Sequence, residues 1–118
     1  MIYHITRRKA WHTALGTGHY LAESLAAEGF IHCSTRSQVL PVAENFYKGQ
    51  GGLVLLAIEP TRLTSTLIWE LPSDGTPPPG ISEGDLFPHI YGPINLDAVV
   101  SVADLEKDPQ GKFKLPSS

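Results

Sequence analysis

Five histidines, His4, His12, His19, His32 and His89, are the residues of this chain best suited to chemistry. Imidazole exchanges a proton near neutral pH and serves equally in acid–base work, hydrogen bonding and metal ligation. His4, His32 and His89 fall in or at the ends of segments rich in strand formers, beside aromatic or small polar residues, a grouping that suggests a shared cleft. The plainer reading of each one alone is a half-buried histidine bonded to backbone. The densest stretch is Glu28-Gly29-Phe30-Ile31-His32-Cys33-Ser34-Thr35, which places a histidine, a thiol and two hydroxyls between a short apolar run and a helical pattern. A strand end beside a helix start readily accommodates binding groups and anions.

Side chains alternate faces along a strand, so His32 and Ser34 share one face and Cys33 takes the other. His32 therefore cannot be the base for Cys33, the thiol is expected in the core, and with no C-x-x-C pattern a thiol enzyme is disfavoured. The same rule groups Ile2, His4 and Thr6, so a His-x-hydroxyl pair occurs twice, each time on a strand that precedes a helix. Three histidines could hold a catalytic metal, but no H-x-H or H-E-x-x-H element preorganises them, and no metal is expected. Among the twelve carboxylates, Glu70 follows Trp69 at the end of an apolar strand. It is either a rim residue or a cleft acid able to orient a hydroxyl or stabilise a cation. Tyr3, Tyr20, Trp69 and Tyr91 would wall a pocket for a flat ligand, or simply pack.

The elements that must position these groups follow from pattern. Ile2 to Ile5 reads as a strand, with Thr6 as a helix cap. Arg7 to Leu15 reads as a short helix with Ala10, Trp11, Ala14 and Leu15 on its apolar stripe, stopped by Gly16 and Gly18. Tyr20 to Ala27 is helix or connector, and Phe30 to Cys33 is a strand. Thr35 to Lys48 is the clearest helix, although Pro41 predicts a later start near Ser37 or a kink. Leu53 to Ile58 is a continuous apolar run, expected as a central strand buried on both faces. Leu67 to Leu71 follows as a strand, and residues 72–85, with four prolines and three glycines, form a loop suited to a lid. Phe87 to Ile94 is a proline-flanked strand expected at an edge or crossing point. Asn95 to Asp97 turn the chain into a last strand, Ala98 to Leu105; Lys112 to Leu115 is a further edge strand and residues 116–118 a tail. One α+β domain over residues 1–118, with its helices grouped early, is the expected class.

Composition narrows the field of functions. The chain has 118 residues, 42% hydrophobic and 18% charged, which suits a soluble globular protein able to bury a core without staples. Its net charge is −3 and its only basic cluster is Arg7-Arg8-Lys9, so the footprint of a nucleic-acid binder is missing. One cysteine permits no internal disulfide. The opening Met-Ile-Tyr-His-Ile-Thr reads as a strand and not as a signal peptide, and no apolar run approaches ~20 residues, so cytoplasmic residence without membrane contact is expected.

Tyr3-His4-Ile5, Trp11, Gly29 to Thr35 followed by Gln38-Val39, Leu53 to Leu56, Trp69-Glu70 and Phe87 to Ile94 together resemble the bacterial family called domain of unknown function 952. More distantly, the order of a His-x-Thr strand, helix, His-x-Ser strand and helix looks like the ADP-ribosyltransferase fold, including its RNA 2'-phosphotransferase branch. That resemblance implies two small mixed or antiparallel sheets forming a cleft for NAD or a related nucleotide. It implies binding roles for His4, Thr6, Ser34 and Tyr91, and catalytic roles for His32, Glu70 and His89, with Glu70 stabilising an oxocarbenium-like charge. Ile90-Tyr91-Gly92-Pro93 departs from the third motif of that fold in having no Glu. The function implied is ADP-ribosyl or phosphoryl transfer or glycosidic cleavage; the alternative is a non-catalytic module that binds a small molecule or nucleotide.

Overall fold

The computed structural model describes residues 1–72 and 75–116. Ser73 and Asp74 of the expected loop, and Ser117 and Ser118 of the expected tail, lie outside them. Strands are β1 (Ile2–Arg7), β2 (His19–Tyr20), β3 (Ile31–His32), β4 (Leu53–Ile58), β5 (Thr66–Glu70), β6 (Phe87–Tyr91), β7 (Ile94–Asn95) and β8 (Val99–Asp104). Helices α1 (Arg8–Thr17), α2 (Glu23–Glu28) and α3 (Arg36–Phe46) all precede β4. Among the described residues, three antiparallel sheets have the orders β1-β4-β8, β3-β6-β5 and β2-β7. The fold is thus α+β with small antiparallel sheets and its helices early in the chain.

β4 is the hub. Every one of its six residues is buried, because a partner strand flanks each edge and packed layers cover each face. Val54, Leu56 and Ile58 join Ile2 in a core cluster that reaches Ala14 of α1, Tyr20, Ile31, Ile90 and Ile94. Leu53 and Leu55 join Ile5 in a second cluster with Val39 and Ala43 of α3, Leu105 and Phe113. Two-residue alternation along β1 and β4 therefore divides the molecule, with α3 on one face of the first sheet and the two other sheets with α1 on the opposite face.

Several local expectations are corrected. Thr6 continues the strand instead of capping α1; Arg7 holds the cap position without a side-chain cap, and Thr6 is buried. Leu15 drops off the α1 stripe and is 55% exposed, whereas Ala10, Trp11 and Ala14 face the core. Tyr20 forms a two-residue strand with β7. α3 begins at Arg36 and runs through Pro41 with neither a later start nor an end there. Its start is fixed by Gln38 Oε1, which accepts the Thr35 backbone N–H at 2.9 Å as half of a capping box. The carbonyl that Pro41 deprives of a donor belongs to Ser37, on an exposed turn where water can serve it. Lys112 to Leu115 makes an isolated bridge, Lys107 to Phe113, in place of a strand.

β6 is the central strand of its sheet, not an edge, although it contains Pro88. In an antiparallel ladder the N–H and C=O of one residue face the same neighbour. The Pro88 carbonyl accepts from Cys33 N–H at 3.1 Å, so the missing donor of Pro88 faces the point just beyond β3, where pairing has already ended.

Gly92 connects β6 to β7 at a close approach: a Cβ there would stand 2.4 Å from Ser65 Oγ and 2.9 Å from Ser65 Cβ. Ser65 Oγ also donates to the Pro93 carbonyl at 2.6 Å, so it cannot swing aside without losing that bond. Gly92→Ala is expected to cost about 1–3 kcal/mol. Urea unfolding checks this, and an unchanged midpoint would show that the turn relaxes freely.

Candidate functional site

The pocket lies where α3, the end of β3, the start of β6 and the connection after β5 meet. Its volume is about 380 Å³, and its walls include His32, Cys33 and Ser34, Ile5 of β1, Val42 and Phe46 of α3, Tyr47, Phe87 and His89, with Pro72, Thr76 and Pro78 on the β5–β6 connection. That connection has no regular secondary structure among its described residues and is tied down to α3. Asn45 Nδ2 donates to the carbonyls of Pro41 at 2.7 Å and Pro79 at 3.1 Å, and Gln38 Nε2 donates to the Leu86 carbonyl at 2.9 Å.

His89 is the best-placed reactive group. It is paired with Ile68 on β5 and with His32 on β3, so one face of this sheet carries His32, Phe87, His89, Tyr91 and Glu70. Glu70 lies diagonally across the ladder, within side-chain reach. Its Oε1 accepts from His89 Nδ1 at 2.8 Å and from the Tyr91 hydroxyl at 2.5 Å. These two donors, the phenol first and the imidazole second, hold the Glu70 carboxyl below the usual carboxylate range, and the carboxylate in turn raises the Tyr91 phenol. An ionised Glu70 can only accept, so Nδ1 donates to it, and in the neutral imidazole the lone pair is then on Nε2.

Nε2 makes no hydrogen bond among the described residues. No side-chain nitrogen or oxygen among them is both sealed from solvent and unpartnered, so Nε2 is reachable although His89 is only 2% exposed. The ring is held from above by Phe30, stacked at 4.2 Å between centroids and 23° between planes, and His32 stands edge-on at 5.5 Å. His32 Nε2 pairs with Glu28 Oε2 at 2.9 Å.

His4 and Thr6 lie elsewhere. Both point to the Ile2 face of β1, away from α3, whereas Ile5 of the same strand lines the pocket. His4 Nδ1 lies 2.6 Å from the His32 carbonyl and Nε2 2.8 Å from the Tyr20 hydroxyl, which is itself 2.7 Å from Thr6 Oγ1. A carbonyl only accepts, so neutral His4 is protonated on Nδ1 and turns its Nε2 lone pair to the Tyr20 hydroxyl. Burial lowers the His4 pKa to about 4 and raises that of Tyr20 to about 12. The structure therefore brings His32, Ser34 and His89 to the pocket, sets Glu70 and Tyr91 behind His89, and places His4 and Thr6 in a core network that meets the site at the backbone of His32. His12 and His19 are exposed and outside it.

Glu28, Phe46, Tyr47 and Phe87 are pocket residues that sequence reasoning passed over. Phe87 was within reach, since it shares the His89 face at a spacing of two. The others depend on how α2 and α3 dock, which no local pattern encodes. Among the described residues no three His, Cys, Asp or Glu side chains are placed to hold a metal ion, and no helix is long and apolar enough to cross a membrane.

Cys33 sits in the core cluster, 3% exposed, where burial pushes its thiol well above the ordinary range. Native protein should accordingly react with iodoacetamide far more slowly than urea-unfolded protein, as mass spectrometry of timed aliquots would show. Equal rates would show that reagent reaches the sulfur through the pocket that Cys33 borders.

Fold and site together define a small α+β protein whose antiparallel sheets and third helix wall a histidine-bearing pocket. Residues 5–102 match the family described as protein of unknown function (DUF952), and the chain belongs to that family. It is similar to protein CC0527 from Caulobacter crescentus in two crystal structures. To the parent the identity is 34%, and to a double mutant of it 33%; in both the TM-score is 0.80, with 96% of this chain and 92% of that one covered. The solution structure of CC0527 matches at 36% identity and a TM-score of 0.74, covering 94% of this chain and 89% of the other. No curated protein matches the chain.

Proposed function

We propose that the pocket binds the nucleoside end of NAD or of a related nucleotide, and that His89, held by Glu70, is the base of a small enzyme that breaks a glycosidic bond there. The observation that carries this reading is the His89 ring itself, with Nδ1 fixed by a carboxylate, Nε2 carrying a reachable lone pair, and the ring's position set by packing. A carboxylate–imidazole pair of this kind orients the ring and stabilises the imidazolium formed when it takes a proton. In the reaction proposed, the bond between sugar C1' and the ring nitrogen breaks with its electron pair going to the nitrogen. Water adds to C1', and its proton passes to His89 Nε2 and then to solvent. Ser34 and His32, on the same wall, supply hydrogen bonds to sugar hydroxyls. Glu70 acts through His89, because Glu70 does not itself line the pocket.

A volume of about 380 Å³ is near the lower end for small-molecule sites and suits a nucleoside more than a whole dinucleotide. No Lys or Arg is among the described lining residues, so a diphosphate would remain outside. Calorimetric titration with NAD, nicotinamide riboside and ADP-ribose, with chromatography for released base, tests the reading. Heat with product that His89→Gln abolishes supports it. Heat without product supports a binding module instead, and no heat at millimolar ligand removes both.

A further inference from the structure

The charge character of the pocket narrows its ligand further. Resting on the reading that this pocket is the ligand site, we propose that it selects a flat, positively charged heteroaromatic ring over its neutral isostere, and that Glu28 is the residue that reads the charge. Glu28 ends α2 and is held at the rim by His32, with 42% of its side chain exposed. His32 occupies only Oε2; Oε1 makes no hydrogen bond among the described residues and is available to a ligand. Glu28 is the only carboxylate among the described lining residues, and no Lys or Arg there offsets it.

The remaining walls suit the same partner. Phe46, 61% exposed, stands at the mouth, with Tyr47 and Phe87 deeper. Aromatic faces attract a cation through their quadrupole while offering a flat ring its stacking surface. Three aromatic rings and one carboxylate around a mostly apolar volume make a site in which a delocalised cation is desolvated at low cost. An anion would meet Glu28 with no compensating charge.

The probes are 1-methylnicotinamide, a cation, and 3-methylbenzamide, which replaces the ring N⁺ by carbon and keeps size and amide. Affinities for native protein and for Glu28→Gln are measured by NMR titration at pH 8, with pocket resonances reporting the site and thermal melts reporting the fold. The Gln carbonyl still accepts from His32, so only the charge is removed. The cation is expected to bind native protein about tenfold more tightly than its isostere, and that ratio should fall at least about threefold in Glu28→Gln. Equal affinities for native protein overturn the proposal while leaving the pocket as a ligand site. A preference that survives Glu28→Gln overturns the role of Glu28, and failure of both probes to bind at millimolar concentration overturns the ligand site along with the proposal.

Discussion

Acidification from pH 6.5 to about pH 4 is expected to remove roughly 3 kcal/mol of folding stability through His4 alone. In the unfolded chain His4 takes a proton near its ordinary value of 6.5, whereas burial holds the folded value at about 4. Between those limits the unfolded state binds one more proton than the folded state, so stability rises with pH through the window and is flat on either side. The structural reason is that both ring nitrogens are committed. Nδ1 donates to the His32 carbonyl and Nε2 turns its lone pair to the Tyr20 hydroxyl, so a second ring proton would displace the phenol in a site without solvent. Glu59 and Glu70 also lose their contributions on acidification, but as carboxylates with lowered values they do so below about pH 4.5, from the foot of the His4 window downward, so the limb between about pH 6.5 and 4.5 reports His4. Urea unfolding at half-unit pH steps reads the slope. The steep limb should flatten in His4→Gln, which keeps a donor and an acceptor without titrating; identical limbs in the two proteins would sink the assignment.

On the proposed reading of the pocket as a glycosidic-cleavage site, replacing His89 with Gln should lower turnover by about 10²- to 10⁴-fold, the range spanned by general bases. On that reading Glu70 positions His89, and its variants should separate orientation from charge. Glu70→Ala leaves the ring free to turn and is expected to cost about 100-fold in kcat with KM little changed, since the ligand never touches Glu70. Glu70→Gln retains an oxygen that accepts the Nδ1 proton and should recover part of that loss. Tyr91→Phe, which removes only the second donor to Glu70, should fall closest to native. If Glu70→Ala and Glu70→Gln both turned over at the native rate while remaining folded, His89 would need no orienting partner and the assignment would fail.

Much of the fold was legible in the chain. The run Leu53 to Ile58 announced a strand buried on both faces, the pattern from Thr35 announced α3, and Gly18 ends α1 in a left-handed turn. His32 and Ser34 both line the pocket, but so does Cys33 between them, because β3 ends at His32 and strict alternation stops there. Alternation says which residues travel together, however, and not which side of the sheet a helix will cover. His4 and Thr6 share a face, as expected, but α3 packs over Ile5, so the face that became pocket is the other one. Pro88 shows a related limit. A proline bars a strand from pairing at one position on one side only, and the side depends on where its neighbour stops. Glu70 was legible as an unusual acid, while its partnership with His89 required the register of β5 on β6.

His32 carries two functions on separate atoms. Its ring faces the pocket and its carbonyl is gripped from behind by His4. Any amino acid offers that carbonyl, so the side chain at position 32 can be exchanged without removing the anchor, whereas a change at position 4 releases the anchor without touching the pocket wall. The pocket surface and the fold thereby depend on different positions, and a library confined to position 32 should vary the pocket wall while most of its members still fold.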